Sequence, residues 1–495
     1  MNDKRFLATI MITFLTCLGL LIASYFTYAR YLERQFGADP KAAVPSETLR
    51  DGVDYLPLPA WKAFLIQLLN IAGLGPIFGA ILGAVFGPVA FLWITFGSIF
   101  IGAVQDYASG MISLKEGGVS FPEIVGKYMG QSVRQVMRGF TLFLMILVGA
   151  VFMVGPAGIL EGFTGLSQSV WVWIILAYYL LATLLPIDKI IGRFYPIFGI
   201  ALFAMALGIL GVLLFGPYEV PNLSTASFDN FGANPRGVPI IPTLFITIAC
   251  GAVSGFHATQ SPMMARCVTN ERQGKPVFFG AMISEGVIAL IWAAIGMAFW
   301  GGTEGLSKAL AGFGDNAAGA VDLITHTTLG RVGAALALLG VVVAPITSGD
   351  TAFRCARLIA ADFLHVEQKQ LLKRLYISVP IFLVGVTISL LPFGVIWKYF
   401  AWANQVLAAI CLWTVAVYLA VQRRQWMLAF LPATFMTFIV SFYILIAPEG
   451  LQIPYYTGLT IGSIVTAGIT GAMAWYVRLA WQRRIAAADG FNNRL

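Results

Sequence analysis

The stretch Asn70-Ile-Ala-Gly-Leu-Gly-Pro-Ile-Phe-Gly79 lies inside an apolar run over residues 62 to 86 and puts three glycines and a proline within ten residues. Glycine and proline weaken a helical backbone, so the run is expected to break here. A bilayer offers no water to the freed N–H and C=O groups. A break at membrane depth therefore has to be buried in protein or line a polar cavity. The stretch is read as half of a binding site.

Working outward, the 495-residue chain is 59% hydrophobic and only 11% charged, against about 25% for an ordinary soluble domain. With a mean hydropathy of +0.83 and repeated apolar runs of roughly twenty residues, it reads as an all-α polytopic membrane protein. No soluble domain is evident. The net charge of +8 comes from basic residues in short loops between apolar runs. That is an orientation signal in the lipid bilayer, and it argues against a nucleic-acid partner.

About thirteen spans are expected, at 6–28, 62–86, 88–113, 136–157, 170–187, 193–216, 240–264, 277–300, 331–349, 374–391, 395–421, 427–447 and 456–480. The run at 6–28, behind Lys4 and Arg5, is long enough to span and lacks a clear cleavage site, so it is kept as a first helix. Residues 29–61 read as a polar loop. Basic clusters around Lys115, Lys127 and Arg134, Lys189 and Arg193, Arg266 and Arg272, Arg354 to Arg374, Arg423 and Arg424, and Arg478 to Arg484 fall on one side if every span crosses once. That places the C-terminus in the cytoplasm and the N-terminus outside, against the pull of Lys4 and Arg5.

A second run breaks in the same way: Cys250-Gly-Ala-Val-Ser-Gly-Phe-His-Ala-Thr-Gln-Ser-Pro262. It gathers Ser254, His257, Thr259, Gln260 and Ser261, a concentration of polar groups that usually faces a cavity. The two breaks lie five spans apart, so the two segments cross in opposite senses. That is the geometry of an inverted repeat with its binding site near the bilayer midplane. Close helix packing by small residues is the competing reading of the glycines.

Four segments carry a family resemblance: Asn70-Ile-Ala-Gly-Leu-Gly-Pro76, Gly102-Ala-Val-Gln-Asp106, Ser254-Gly-Phe-His-Ala-Thr-Gln-Ser-Pro-Met-Met-Ala-Arg-Cys267 and Pro345-Ile-Thr-Ser-Gly-Asp-Thr-Ala-Phe-Arg354. In order, over about residues 62 to 365, they resemble the carbon starvation protein A (CstA) family. The likeness is to a short form without the longer C-terminal portion of larger members, and Ile66 and Gln67 stand where those carry a His-His pair. The resemblance implies an inner-membrane carrier of peptides or pyruvate within the amino acid/polyamine/organocation superfamily. It also implies a LeuT-like five-plus-five inverted repeat with one extra N-terminal and two extra C-terminal helices. Residues 1–61 would then precede the core, 62–216 and 217–421 form the two halves, and 422–495 follow.

Within that frame the expected substrate lining is Asn70, Gly73, Gly75, Ser254, Gly255, His257 and Gln260, with helix N-termini at both breaks offered to a substrate carboxylate. Phe256 would cover the site. For the coupling ion, the resemblance implies a sodium site from Thr347 and Ser348 with carbonyls near Ala72 and Gly75. The alternative is helix-end capping, with Asp350 facing Arg354. Asp106 and Glu285 lie inside apolar runs, where a buried carboxylate can load and release a proton. For Glu285, structural pairing with the basic loops is the competing role.

Cys17, Cys250, Cys267, Cys355 and Cys411 are scattered without metal-ligand spacing and read as packing residues. His257, His326 and His365 are too far apart in sequence to suggest haem or zinc. No Walker motif or nucleophile elbow is present. The expectation is therefore a secondary active transporter and not an enzyme, with no cofactor beyond a coupling Na⁺ or H⁺. A channel and a membrane-embedded enzyme subunit are the alternatives, and the substrate and oligomeric state stay open.

Overall fold

The structure is a computed structural model and describes residues 11–51, 55–184, 188–364, 366 and 370–492. Lys4, Arg5, His365 and Lys369 lie outside the described residues. The membrane elements are α1 (Ile12–Phe36), α2 (Ala60–Ile71), α3 (Gly75–Phe86), α4 (Val89–Lys115), α5 (Gln131–Thr164), α6 (Gln168–Leu184) and α7 (Asp188–Phe215). They continue with α8 (Ile240–Thr247), α9 (His257–Ala265), α10 (Glu271–Phe299), α11 (Thr303–Gly312), α12 (Ala317–Ala361), α13 (Leu371–Ser389), α14 (Phe393–Val421), α15 (Met427–Ile446) and α16 (Tyr455–Asn492).

Ten of the described helices are long and apolar enough to cross a membrane, or eleven when α2 and α3 count as one bent span. The chain is a multi-pass membrane protein. Two further expected spans are present in shorter form. One is α6. The other is the second broken run, whose halves α8 and α9 have 8 and 9 residues. At 1.5 Å per residue each half covers only about 13 Å, so the two must act together to reach across. The expected span at 331–349 lies within the longer α12, which carries a non-helical break at Gly330.

Both breaks follow their glycines and prolines. α2 ends as Ala72 leaves helical geometry (φ −87°, ψ 44°), and the chain restarts at Gly75–Gly79 with a wide π-type turn that has Pro76 in its first positions. Proline lacks the N–H that the first turn of a helix leaves unused, so Pro76 fits a restart where it would damage a helix interior. The two halves meet at 55°. In the second break α8 ends at Thr247, Gly251 takes a positive φ of 89°, and helix resumes at His257. The core is built around these breaks. α10 packs on α1, α2 and α3, α9 packs on α4, and α5 runs along α12 and α14.

The polar loop after α1 is stitched to the connection between α9 and α10. Asp39 N–H donates to Glu271 Oε2 (2.7 Å), Asn270 Nδ2 to Pro40 O (2.9 Å), Ser46 Oγ to Val268 O (2.7 Å) and Leu58 N–H to Cys267 O (2.9 Å). Lys115, at the end of α4, lies 3.3 Å from Glu271. The strap joins the end of α1 and the start of α2 to the ends of α4 and α9.

Candidate functional site

The second break exposes backbone groups that a helix would have paired, and neighbouring helices take most of them up. From α4, Trp93 Nε1 donates to Ile248 O (3.0 Å), Ser98 Oγ to Gly251 O (2.9 Å) and Gln105 Nε2 to Ser254 O (2.5 Å). From α14, Asn404 Oδ1 accepts from Phe256 N–H (2.7 Å) and Ser254 Oγ (3.2 Å), and Asn404 O accepts from Gly255 N–H (3.1 Å). Glu285 Oε1 on α10 accepts from Gly251 N–H (3.0 Å). Three helices thus hold the unwound segment open, as buried backbone polar groups require.

At the end of that segment stands His257, between two carboxylates from different helices. Its Nδ1 is 2.9 Å from Asp106 Oδ2 on α4, and its Nε2 is 3.4 Å from Glu285 Oε2 on α10. All three side chains are fully buried. Asp106 Oδ1, His257 Nε2 and Glu285 Oε2 take no hydrogen bond, and no described lysine or arginine lies within ion-pair distance of either carboxylate. Two buried carboxylates beside one imidazole hold excess negative charge unless protons occupy them, because burying an uncompensated charge is costly.

The first break meets the second through Gly75. A Cβ on Gly75 would lie 2.0 Å from Cys250 Cβ, so only a glycine lets the two unwound segments touch. Cys250 Sγ sits between Ser254 Oγ and Asn404 Nδ2, both at 3.5 Å. Donor atoms of Cys250, His257 and Glu285 lie within 4.8 Å of one another. That spacing suits a small cation.

Of the expected site residues, Gly75, Ser254, Gly255, His257, Asp106 and Glu285 come together here. Gln260 is buried one turn into α9 and bonds the adjacent Thr259 Oγ1 (3.0 Å). Asn70, on the last turn of α2, is half-buried. Ala72 N–H closes α2 onto Leu68 O, and Gly73 packs on the Phe152 ring. The residues expected around a sodium ion lie one helix away, on α12. Thr347 and Ser348 hydroxyls donate to Ala344 O of their own helix (2.7 and 3.2 Å), and Asp350 pairs with Arg354 (3.1 Å). Phe152 stands between this turn and the first break. Its Cβ is next to Gly349 and its ring tip next to Gly73.

Asn404 was not among the expected residues, although its signal is visible: Asn404-Gln405 is a polar pair inside the apolar run 395–421. Gln67, one of the two residues that stand in place of the family's His-His pair, has a structural partner as well. It is fully buried on α2 and donates to Ser261 Oγ (3.1 Å), which ties the first broken span to the second.

The family profile described as "Carbon starvation protein CstA" matches residues 8–160 and 153–329. The chain belongs to the CstA family. It is 43% identical over 349 residues to an uncharacterized membrane protein of Haemophilus influenzae, covering 61% of this chain and 94% of that one. Peptide transporter CstA of Bacillus subtilis is 24% identical, covering 88% of this chain and 89% of that protein. Pyruvate/proton symporter BtsT of Escherichia coli is 27% identical, covering 55% of this chain and 47% of BtsT, so the match spans about half the length of that relative. Among solved structures, a manganese transporter mutant of Eremococcus coleocola aligns with a TM-score of 0.56 at 14% identity, over 86% of this chain and 98% of that one. MhsT in complex with L-phenylalanine aligns at 0.54 and 14%, over 85% and 98%. These two likenesses concern the fold, a LeuT-like helical arrangement.

Proposed function

We propose that this CstA-family protein is a secondary active transporter of the cell's inner membrane. It imports a small carboxylate-bearing nutrient, a peptide or pyruvate-like acid, using a proton gradient. The single observation that carries the reading is the buried Asp106–His257–Glu285 cluster at the end of the second break. The names of the CstA and BtsT relatives support the direction of the proposal.

The proton is the coupling ion because the cluster has room for protons and, among the described residues, no lysine or arginine beside it. Loaded from outside, the cluster is close to neutral and stable when buried. Emptied, it holds net negative charge that favours a state open to water. His257 belongs to α9, the half-helix after the break, while Asp106 and Glu285 belong to long continuous helices. Proton occupancy therefore biases how α9 sits against α4 and α10, which is the differential interaction that alternating access requires. The substrate carboxylate meets the positive ends of α3 and α9. With the basic loops inside, the strap and the C-terminus lie in the cytoplasm and the N-terminus outside.

The test is uptake into proteoliposomes containing only this chain. An inward proton gradient should drive pyruvate or a dipeptide above its outside concentration, and collapsing the gradient with an ionophore should stop it. Equilibration without accumulation would establish a channel instead.

A further inference from the structure

α10 packs on both α1 and α2, and between those two it leaves a lateral groove. The walls are Ile22 and Phe26 of α1, Trp61 and Phe64 of α2, Phe203 of α7 and Val287 of α10. Ile22, Phe26 and Trp61 are each at least half exposed, so the groove opens sideways toward the bilayer. Gly280 of α10 forms its floor. A Cβ there would lie 3.2 Å from the Tyr25 ring of α1 and 3.8 Å from the Phe64 ring of α2. The groove encloses about 500 Å³. Along α10 it runs from Pro276 to Val287, about 16 Å at 1.5 Å per residue. That is roughly half of the 30 Å hydrocarbon core, the depth of one leaflet.

One end of the groove is basic. Lys275, just before Pro276, holds its Nζ 4.8 Å from the centre of the Tyr25 ring, a cation–π contact that keeps the ammonium at the mouth. Arg30 stands exposed one turn past Phe26 on α1, and Lys62 follows Trp61 on α2. None of the three has an ion-pair partner among the described residues. Glu33, farther along α1, is within electrostatic reach of Tyr25 but outside ion-pair distance of Lys275. The other end, at Ile22 and Val287, carries no charge. Tyr25 and Trp61 beside the cations are the aromatic types that sit at headgroup level.

We infer that this groove binds one anionic phospholipid, with an acyl chain along Phe26, Phe64 and Val287 and the phosphate at Lys275, flanked by Arg30 and Lys62. An apolar trough one leaflet deep with three unpaired cations at its shallow end has the polarity of such a lipid from tail to headgroup. A zwitterionic lipid brings an ammonium of its own to the three cations, so net negative charge decides between them. The occupant touches α1, α2, α7 and α10 together, and α2 is the half-span that leads into the first break. Filling the gap holds α2 at a set distance from α1, so a bound lipid biases where that half-span sits. The inference rests on insertion in a membrane and is independent of what the protein carries.

Two kinds of variant probe the two ends. Lys275→Gln, alone and combined with Arg30→Gln and Lys62→Gln, removes charge at the mouth. Ser284→Trp places a ring in the groove from a half-buried position on its wall. The delipidated full chain in detergent is titrated with dioleoyl phosphatidylglycerol and with dioleoyl phosphatidylethanolamine, and binding is read by native mass spectrometry. The unfolding midpoint of each protein is recorded with and without lipid. The wild type should bind one phosphatidylglycerol about tenfold or more tighter than phosphatidylethanolamine. Lys275→Gln should weaken that binding about fivefold and the triple variant about a hundredfold, because each cation at the headgroup contributes a similar factor. Phosphatidylglycerol should raise the midpoint of the wild type and leave that of Ser284→Trp where it is. Equal affinity of the wild type for the two lipids overturns the inference. So does phosphatidylglycerol binding at wild-type strength in either the triple variant or Ser284→Trp.

Discussion

His257 Nδ1 and Asp106 Oδ2 lie 2.9 Å apart although 151 residues separate them in the chain, and both side chains are fully buried. The imidazole is placed by the half-helix after a break and the carboxylate by a continuous helix. Replacing Asp106 with Asn keeps the shape and removes the charge. Asp106→Asn is expected to reduce gradient-driven accumulation to the level of empty liposomes while solute exchange across the membrane persists. Accumulation at the wild-type rate in Asp106→Asn would remove the coupling role.

Glu285 completes the cluster from the other side of the ring, and its second oxygen anchors Gly251 N–H at 3.0 Å. If protons are co-imported, the initial rate of uptake falls as external pH rises at constant membrane potential, because the outward-facing cluster loads less readily. His257→Gln removes the titrating ring between the carboxylates and should flatten that profile. Rates recorded over an external pH series in the two proteins decide the matter, and parallel profiles would count against a proton held there.

Close approach at Gly75 makes a paired prediction. Gly75→Ala brings a methyl group to within 2.0 Å of Cys250 Cβ and should abolish transport, with the protein still inserted and monodisperse in detergent. Cys250→Gly removes the opposing atom, so the double variant should recover part of the activity. Full activity in Gly75→Ala alone would mean that the two broken segments do not need to touch.

The Thr347 and Ser348 hydroxyls donate to Ala344 O and keep their lone pairs for a cation. If protons alone drive uptake, replacing external Na⁺ with choline leaves it unchanged, both in the wild type and in Thr347→Ala. A dependence on Na⁺ that Thr347→Ala abolishes would restore the sodium site that the family resemblance implied.

Asn404 holds the unwound segment through Phe256 N–H and Ser254 Oγ. Asn404→Ala leaves a buried N–H without its acceptor, which costs about 1 to 3 kcal/mol. A lower thermal unfolding midpoint in detergent should accompany loss of transport. An unshifted midpoint would show that the segment finds another partner.

How far the sequence reaches is set by what is local. The break at Asn70 to Gly79 is legible because helix-weakening residues inside an apolar run act where they stand. Asp106, His257 and Glu285 are each conspicuous as polar groups in apolar runs, yet their convergence is a property of the packing of α4, α9 and α10 and leaves no mark at any one position. Asn404 is harder to see because one amide among many apolar neighbours resembles ordinary interhelical glue. For Thr347 and Ser348, composition cannot tell which carbonyl a hydroxyl donates to, and the structure shows it to be Ala344 O of their own helix.

The strap between α1 and α2 also sets a timetable for making the protein. Asp39 finds its partner Glu271 only 232 residues later, and Ser46 waits 222 residues for Val268. At ribosomal rates of about 5 to 20 residues per second, roughly 10 to 45 seconds pass between synthesis of the strap and of the surface it binds. During that interval the polar connection has only its partners at the end of α4, Lys115 to Gly37 O and Tyr55 to Gly117 O, to hold it. Docking of the strap is consequently a late event in biogenesis that reports the arrival of the second broken span, and a nascent chain stalled before residue 271 should leave the loop open to protease.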